Sequence, residues 1–246
     1  MPPSIPKAIA IIAGAGPGTG SSIARRFAQT YPVALLSRSR TSLDPLVQDI
    51  TASGGTALGI PTDVTDPRSM TSAIEQMKAK FGADIKVAAA IYNVAAKFTR
   101  KPFLEQGVEE FLGALEPTVK GAFIFAQASL PLMLDAGEKY PPTLIFTGAT
   151  AALKGGSGLS SFAMSKFGIR AMAQSLAREF GSKGIHVSHA IIDGIIDTEK
   201  TKGILADVPE SKIDPDWIAE SYWFLHTQPR SSFTHEIDLR PGVEKW

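Results

Sequence analysis

Cysteine is absent from the sequence, which excludes disulfide bonds, thiolate metal sites and cysteine nucleophiles. Charge of one sign is not in excess either, because 25 basic and 24 acidic residues leave a formal net charge of +1. A chain without a charged patch has little attraction for nucleic acid or for a membrane surface, so we expect neither as a partner. No apolar run approaches the ~18 residues that span a bilayer, and we therefore expect a cytoplasmic protein.

Short apolar runs alternate with longer amphipathic segments along the 246 residues. The first run, Ile9–Ala15, leads directly into a glycine turn, which is typical of a strand and not of a secretory signal. Strands that alternate with helices predict βαβ units and a parallel sheet covered on both faces. We therefore expect an α/β protein, with one doubly wound Rossmann domain over residues 1–246 and a seven-stranded parallel sheet.

The boundaries of these elements follow from the apolar periodicity. The predicted strands are Ala8–Ala13, Val33–Ser37, Thr56–Pro61, Val87–Asn93, Thr143–Thr147, His186–Ile192 and Phe233–Leu239. The predicted helices are Thr19–Thr30, Ser42–Ala52, Pro67–Phe81, a long one from about Val108 to Leu134, Leu159–Gly181 and Asp216–His226. The polar segment Thr198–Asp214 interrupts the pattern, and a loop of that length in a compact domain is usually functional or disordered. We expect a flap over a substrate pocket, with a plain surface loop as the alternative.

A glycine cluster, Gly14-Ala-Gly-Pro-Gly18-Thr-Gly20, follows the first predicted strand and opens the first helix. Glycine allows the sharp turn and lets the backbone approach a pyrophosphate, which then lies at the positive end of the helix. Glycine turns also occur for purely structural reasons, but the strand–turn–helix context favours a dinucleotide site.

The residues after the second strand, Ser37-Arg38-Ser39-Arg40, indicate which dinucleotide binds. A site selective for NAD usually carries an acidic residue here for the ribose hydroxyls, and this sequence has none. The guanidinium groups of Arg38 and Arg40 instead offer paired donors to a 2′-phosphate. The sequence therefore predicts NADP(H), the alternative being that both arginines are solvated surface charges.

Four further motifs follow in order along the chain. They are Asp63-Val64 after the third strand, Asn93-Val-Ala-Ala96 after the fourth, Lys166 in the helix Leu159–Gly181, and Asp193-Gly-Ile-Ile-Asp-Thr198 after the sixth strand. Together with the glycine spacing, this layout resembles the short-chain dehydrogenase/reductase family over essentially the whole chain. The resemblance implies that Gly14, Gly18, Thr19 and Gly20 hold the pyrophosphate, Asp63 and Val64 the adenine, Asn93 and Lys166 the ribose side, and Ile196 and Thr198 the nicotinamide end.

The catalytic set of that family is what this sequence lacks. The family's reductases use a tyrosine four residues before the lysine as general acid and a serine that holds the substrate carbonyl. Those positions are Phe162 and Ala149 here, and the usual asparagine of the long fourth helix is Thr118. General acid–base help is worth ~10²–10⁴ in rate, so hydride transfer without it is slow and not impossible.

A replacement proton donor must come from nearby side chains. Ser160, Ser161, Thr147 and Thr150 lie beside the lost positions, and Lys154, His189, Asp193 and Asp197 belong to the same end of the sheet. His189 lies in an apolar strand, which favours a core histidine over a catalytic one. A carboxyl group in an apolar pocket favours its protonated form, so Asp193 is a candidate acid, with a turn-stabilising aspartate as the alternative. The predicted catalytic residues are Lys166, Asp193, Ser161 and Thr150, and no metal site is expected.

Three functions remain open on these grounds. They are an atypical NADPH-dependent oxidoreductase acting on a carbonyl, imine or activated double bond, a non-redox isomerase or cyclase on the same fold, and a catalytically silent NADP-binding protein. The substrate is not specified, although the segments Thr198–Asp214 and Lys97–Gln106 are expected to shape its pocket. The family resemblance also implies a homodimer or homotetramer that pairs through the apolar stretches Gly121–Ala126 and Phe167–Met172.

Overall fold

The computed structural model describes residues 8–94, 98–134, 136 and 139–243. Its strands are β1 (Ala8–Ala13), β2 (Val33–Ser37), β3 (Ala57–Pro61), β4 (Lys86–Tyr92), β5 (Thr143–Thr147), β6 (His186–Ile192), β7 (Ile195–Ile196), β8 (Lys212–Ile213) and β9 (Glu236–Leu239). Its α-helices are α1 (Thr19–Ala28), α2 (Arg40–Ala52), α3 (Pro67–Phe81), α4 (Val108–Leu115), α5 (Gly121–Met133), α6 (Ser160–Phe180) and α7 (Pro215–His226).

Seven of the strands form one parallel sheet in the order β3-β2-β1-β4-β5-β6-β9, while β7 pairs with β8 in a separate two-stranded sheet. This order confirms the predicted α/β doubly wound fold. The strand order reverses between β1 and β4, and doubly wound sheets bind ligands in the crevice at the carboxyl ends of the strands there.

Helices cover both faces of the sheet, and each face has its own apolar core. On one face α1, α2 and α7 contribute Ile23, Phe27, Leu43, Ile218 and Tyr222, while on the other α3, α5 and α6 contribute Met70, Met77, Phe125, Leu130 and Ile169. The strand β1 is buried along its whole length, since both of its faces are covered. None of the helices in the described ranges is long and apolar enough to cross a membrane.

The long helix predicted from about Val108 to Leu134 is wrong as a single element. The structure has α4, then a π-helical turn over Glu116–Lys120, then α5. Pro117 lies inside the turn and has no N–H to donate to the carbonyl one helical turn earlier. The hydroxyl of the buried Tyr92 donates a short hydrogen bond to the Pro117 carbonyl, so tertiary contact stabilises the irregular turn.

Smaller differences concern the ends of elements. The third strand begins at Ala57 and the last one at Glu236, each later than the predicted Thr56 and Phe233. The hydroxyl of Ser39 accepts a hydrogen bond from the Thr41 amide and caps α2, which therefore begins at Arg40 and not at Ser42.

Candidate functional site

The glycine turn lies between β1 and α1, at the carboxyl end of the sheet. Gly14 has a φ of 82° and Gly18 a φ of 91°, a region that favours glycine. A Cβ atom on Gly14 would collide with the backbone carbonyl of Asn93, and one on Gly20 would collide with the carbonyl of Gly14. The first residue before α1 is Gly18, which brings no side chain to cap the helix. The backbone N–H groups at this helix end therefore face an open turn that suits an anion.

The segment after β6 returns to this same turn. A Cβ atom on Gly18 would lie 2.8 Å from the methyl carbon Cγ2 of Thr198. The amide of Thr198 donates to the hydroxyl of Thr201 at 3.0 Å, and that hydroxyl donates to the Ile196 carbonyl at 2.5 Å. Two segments that the sequence separates by some 180 residues, Gly18 and Thr198, thus form one wall of the crevice.

The carboxyl ends of β2 and β3 bring Arg38 beside Asp63. The side chain and the backbone amide of Thr65 both donate to the Asp63 carboxylate, and these bonds hold the pKa of Asp63 below its usual value, with the Arg38 charge adding to the effect. Arg38 and Arg40 are exposed, and Arg40 lies 4.0 Å from the Asp44 carboxylate. The neighbouring Val64 is buried against the core. The exposed guanidinium of Arg38 and the exposed carboxylate of Asp63 therefore lie near each other at the edge of the crevice.

Lys166 lies inside α6 and is buried at the floor of the site. Its Nζ donates to the Thr147 carbonyl at 3.2 Å and lies 5.9 Å from the centre of the Phe162 ring. Burial lowers the pKa of Lys166 from 10.5 to about 8. The Thr147 hydroxyl in turn lies 2.7 Å from the hydroxyl of the buried Tyr222.

A cavity of about 350 Å³ adjoins Phe162 and Ala149. It is lined by Phe98, Ala149, Thr150, Ala151, Lys154, Gly155, Gly156, Leu159, Phe162, Ile192 and Gly194. Phe98 meets Phe162 edge-on, with ring centres 5.2 Å apart, so the two aromatic rings form a continuous apolar wall. The cavity has the size of a small-molecule pocket.

Residues 8–209 match the family model described as short chain dehydrogenase. The chain belongs to the short-chain dehydrogenase family of oxidoreductases. It is 34% identical to a short-chain dehydrogenase from Rhodopseudomonas palustris, over 96% of this chain and 99% of that one, with a TM-score of 0.79. It is 28% identical over 238 residues to the 3-oxoacyl-(acyl-carrier-protein) reductase FabG of Escherichia coli (strain K12), covering 93% of both chains.

A third similar protein comes with a bound nucleotide. It is a blue fluorescent protein from a metagenomic library, crystallised in complex with NADPH, which shares 26% identity with this member of the short-chain dehydrogenase family. The similarity covers 98% of this chain and 100% of that chain, with a TM-score of 0.82.

Asp193, a candidate acid by sequence, is held by two partners in this short-chain dehydrogenase family member. Its carboxylate lies 2.8 Å from the Arg240 guanidinium and accepts a short hydrogen bond from the Thr150 hydroxyl. Both partners engage the carboxylate oxygens of Asp193, so the residue acts as an acceptor that orders the cavity wall. Its predicted role as a proton donor stays a prediction. The sequence alone did not indicate Arg240 as a partner, because 46 residues lie between the two positions.

Ser161, another candidate, is buried and donates to the side-chain oxygen of Gln106 at 2.6 Å, as Ser160 does at 2.9 Å. The Gln106 amide nitrogen donates to the carbonyls of Lys101 and Gly158. Both serines therefore fasten the segment after Phe98 to the start of α6. Thr150, by contrast, does line the cavity.

His189 is fully buried, and its Nδ1 lies 2.9 Å from the Glu236 carboxylate, which Arg170 also binds through two hydrogen bonds. Burial lowers the pKa of His189, and the nearby Lys166 charge adds to this. Its Nε2 has no hydrogen-bond partner within the described part of the chain and abuts Gly148, where a Cβ would collide with it. The side-chain oxygen of Thr118, in the π-helical turn, is likewise buried without a described partner.

Some predicted residues cannot be placed. Ala95 and Ala96 of the predicted motif, and Lys97 at the start of the segment expected to shape the pocket, lie outside the described residues. The segment 199–210 is mostly turn and exposed, and the described cavity lining takes no residue from it. Asp197, which precedes this segment, forms an ion pair at 3.3 Å with Lys212, which follows it.

Proposed function

We propose that this chain is an atypical NADPH-dependent oxidoreductase that reduces a small organic carbonyl, imine or activated double bond. The observation that supports it most is the crevice in which Gly14, Gly18, Asn93 and Thr198 close on one another directly above α1. This turn suits a pyrophosphate, because glycine alone allows the close backbone packing at Gly14 and Gly20 and no side chain caps the first N–H groups of α1. The NADPH complex of the similar metagenomic protein agrees with this choice of cofactor.

The residues that would hold NADPH are those around the crevice. Gly14, Gly18, Thr19 and Gly20 take the pyrophosphate, Ser37, Arg38 and Arg40 the 2′-phosphate, Asp63 and Val64 the adenine, Asn93 and Lys166 the ribose, and Ile196 and Thr198 the nicotinamide end. When bound, NADPH supplies a hydride. Arg38 supports NADP(H) over NAD because it is exposed next to Asp63 with no carboxylate in ion-pair distance among the described residues.

Phe162 and Ala149 occupy the positions that carry tyrosine and serine in the family's reductases. Without those hydroxyls, the buried ammonium of Lys166 is a positive charge beside the cavity that would orient the ribose and stabilise negative charge on a substrate oxygen. Phe98 and Phe162 form an apolar wall of the cavity beside it. Thr150 and Asp193 order the opposite wall. An iminium substrate needs little help from a proton donor, which suits an apolar site of this kind.

A non-redox isomerase or cyclase, or a silent NADP-binding protein, is the second candidate. The pairing of Asp193 with Arg240 supports it, because this carboxylate is engaged by Arg240 and Thr150. In that case the cavity acts by holding reactants in a productive geometry.

We also propose that the protein is a homodimer formed through α4, α5 and α6. A groove of about 480 Å³ on this face is lined by Leu115, Glu116, Val119, Lys120, Phe123 and Met172. Phe123 in the groove and Phe167 of α6 are both exposed, at 52% and 42%. Opposite charges lie side by side at the edge of the groove, since Lys120 is 3.9 Å from the Glu116 carboxylate within the chain, and apolar side chains such as Phe123 and Met172 would be buried against a second copy.

The test is a binding titration of NADPH, NADP and NAD against the purified protein, followed by absorbance measurements of NADPH on adding a panel of carbonyl and iminium compounds. We expect NADPH to bind more tightly than NAD and some member of the panel to oxidise it. Binding of NAD as tight as that of NADPH would refute the assignment of NADP(H) as the preferred cofactor. Tight NADPH binding without turnover of any compound would instead support the second candidate.

A further inference from the structure

Charge is distributed unevenly around the cavity beside Phe162. Its walls consist of the apolar side chains of Phe98, Leu159, Phe162 and Ile192, with alanine, glycine and Thr150 between them. Among the described residues that line it, Lys154 is the one with a formal charge. An apolar pocket with one charged group orients a ligand through that group.

The charge of Lys154 has no counter-ion in the described part of the chain, where no carboxylate lies within 4.0 Å of it. Other lysines of the chain do have a counter-ion: Lys101 lies 3.2 Å from the Glu110 carboxylate, and Lys212 lies 3.3 Å from the Asp197 carboxylate. Lys154 follows the short helix Thr150–Ala152, and its amide donates to the Thr150 carbonyl at 3.3 Å. The backbone of this residue is thereby fixed at the cavity.

The carboxylate that precedes the lining residue Gly194 is turned to other partners. Asp193 is held by Arg240 at 2.8 Å and by the Thr150 hydroxyl, and Arg240 also binds Asp238 at 2.7 Å, but none of Asp193, Arg240 and Asp238 lines the cavity. The charge among the described lining residues is therefore positive, and a negatively charged ligand that reaches the Lys154 ammonium gains from it while a cationic one is repelled.

We propose that Lys154 selects a substrate with an apolar, aromatic body and a carboxylate. The aromatic body packs against the edge-on pair of Phe98 and Phe162, and the carboxylate pairs with the Lys154 ammonium. This assignment rests on the proposed function in taking the cavity as the substrate site, but the binding it describes needs no turnover.

The experiment compares two ligands of the same shape, 2-naphthoate and 2-naphthalenemethanol, by calorimetry with and without NADP. We expect the wild-type protein to bind the carboxylate about fivefold more tightly, a preference of the size seen for exposed ion pairs, and to lose it at high salt. The variant Lys154→Met should bind both ligands equally, and Lys154→Glu should prefer the alcohol. Lys80→Met is the control, because Lys80 is an exposed lysine at the end of α3, away from the cavity.

Each outcome bears on the assignment. Equal binding of both ligands to the wild type, no binding of either, or a preference that survives in Lys154→Met would overturn it. A carboxylate preference that depends on Lys154, without turnover of 2-naphthaldehyde or its carboxylated analogues, would keep the assignment and contradict the proposed oxidoreductase. Turnover of neutral and carboxylated aldehydes with equal kcat/KM would support the proposed oxidoreductase and contradict the assignment of Lys154.

Discussion

The carboxylate of Asp193 lies 2.8 Å from the guanidinium of Arg240, and both side chains are largely buried, at 5% and 17% exposure. The two residues come from different parts of the sheet edge, Asp193 directly after β6 and Arg240 directly after β9. The pair therefore joins the loop that would face the nicotinamide to the end of the last strand.

Replacing Arg240 by methionine should leave Asp193 as a buried carboxylate with Thr150 as its remaining described partner. We expect the free energy of unfolding to fall by ~2 kcal/mol, since breaking a buried pair from one side is costly. Urea denaturation followed by circular dichroism measures this. The double variant Asp193→Asn, Arg240→Met should recover part of the loss, and a double variant less stable than Arg240→Met would show that the pair is not coupled in this way.

Gly18→Asp should abolish NADPH binding, because a carboxylate beside the pyrophosphate repels it and the new side chain collides with Thr198. Gly54→Asp is a matched control, since Gly54 has a similar φ of 84° but nothing within 4 Å of its Cβ position. Fluorescence titration with NADPH compares the two. Equal affinity in both variants would place the cofactor elsewhere.

Phe162→Tyr combined with Ala149→Ser should raise generic ketone reduction by about 10²-fold, because the new phenol lies beside the Lys166 ammonium. The measurement is NADPH consumption with a panel of simple ketones. Phe98→Tyr serves as the control, as it adds a hydroxyl to the same aromatic wall farther from Lys166. The absence of any gain in the double variant would indicate a specialised geometry or unrelated chemistry.

Stability should depend on pH through Lys166. Burial lowers its pKa from 10.5 to about 8, so between these values the unfolded chain binds more protons than the folded one. The free energy of unfolding contributed by this group therefore rises as the pH increases across that window. Denaturation of the cofactor-free protein at several pH values, with Lys166→Met for comparison, measures it. Identical pH profiles for the two proteins would contradict the burial of a titrating Lys166.

Phe123→Glu should convert the proposed dimer to a monomer, because it places a charge in the apolar groove between α4 and α6. Size-exclusion chromatography with light scattering gives the mass. Val208→Glu is the control, since Val208 is similarly exposed at 46% but lies outside the groove. A wild-type protein that is already monomeric at micromolar concentration would refute the interface.

Local patterns in the sequence predicted most of the sheet but not its long-range contacts. Ala8–Ala13, Val33–Ser37 and Thr143–Thr147 were predicted with the bounds that they have, because a strand buried on both faces is a continuous apolar run. The π-helical turn at Glu116–Lys120 escaped prediction, since the Tyr92 hydroxyl that satisfies it comes from another element.

The site shows the same division. The glycine turn is local, so its spacing identified it directly. The partners of Asp193 and His189, namely Arg240 and Glu236, lie more than 40 residues away in sequence and are met only across the sheet. Sequence reasoning could name the two residues but could not find the charges that decide what they do.

The last strand, β9, and the residue after it hold side chains that come from earlier parts of the chain. Glu236 binds both His189 and Arg170, and Arg240 binds Asp193, whose carboxylate also accepts from the cavity residue Thr150, so residues 236–240 hold three side chains next to the cavity lining. Every other residue of the described site precedes them in the chain. During synthesis, the segments that form the nucleotide crevice around Gly18, which extend to Thr198, therefore leave the ribosome first, while the cavity beside Phe162 acquires its final shape only once β9 has emerged.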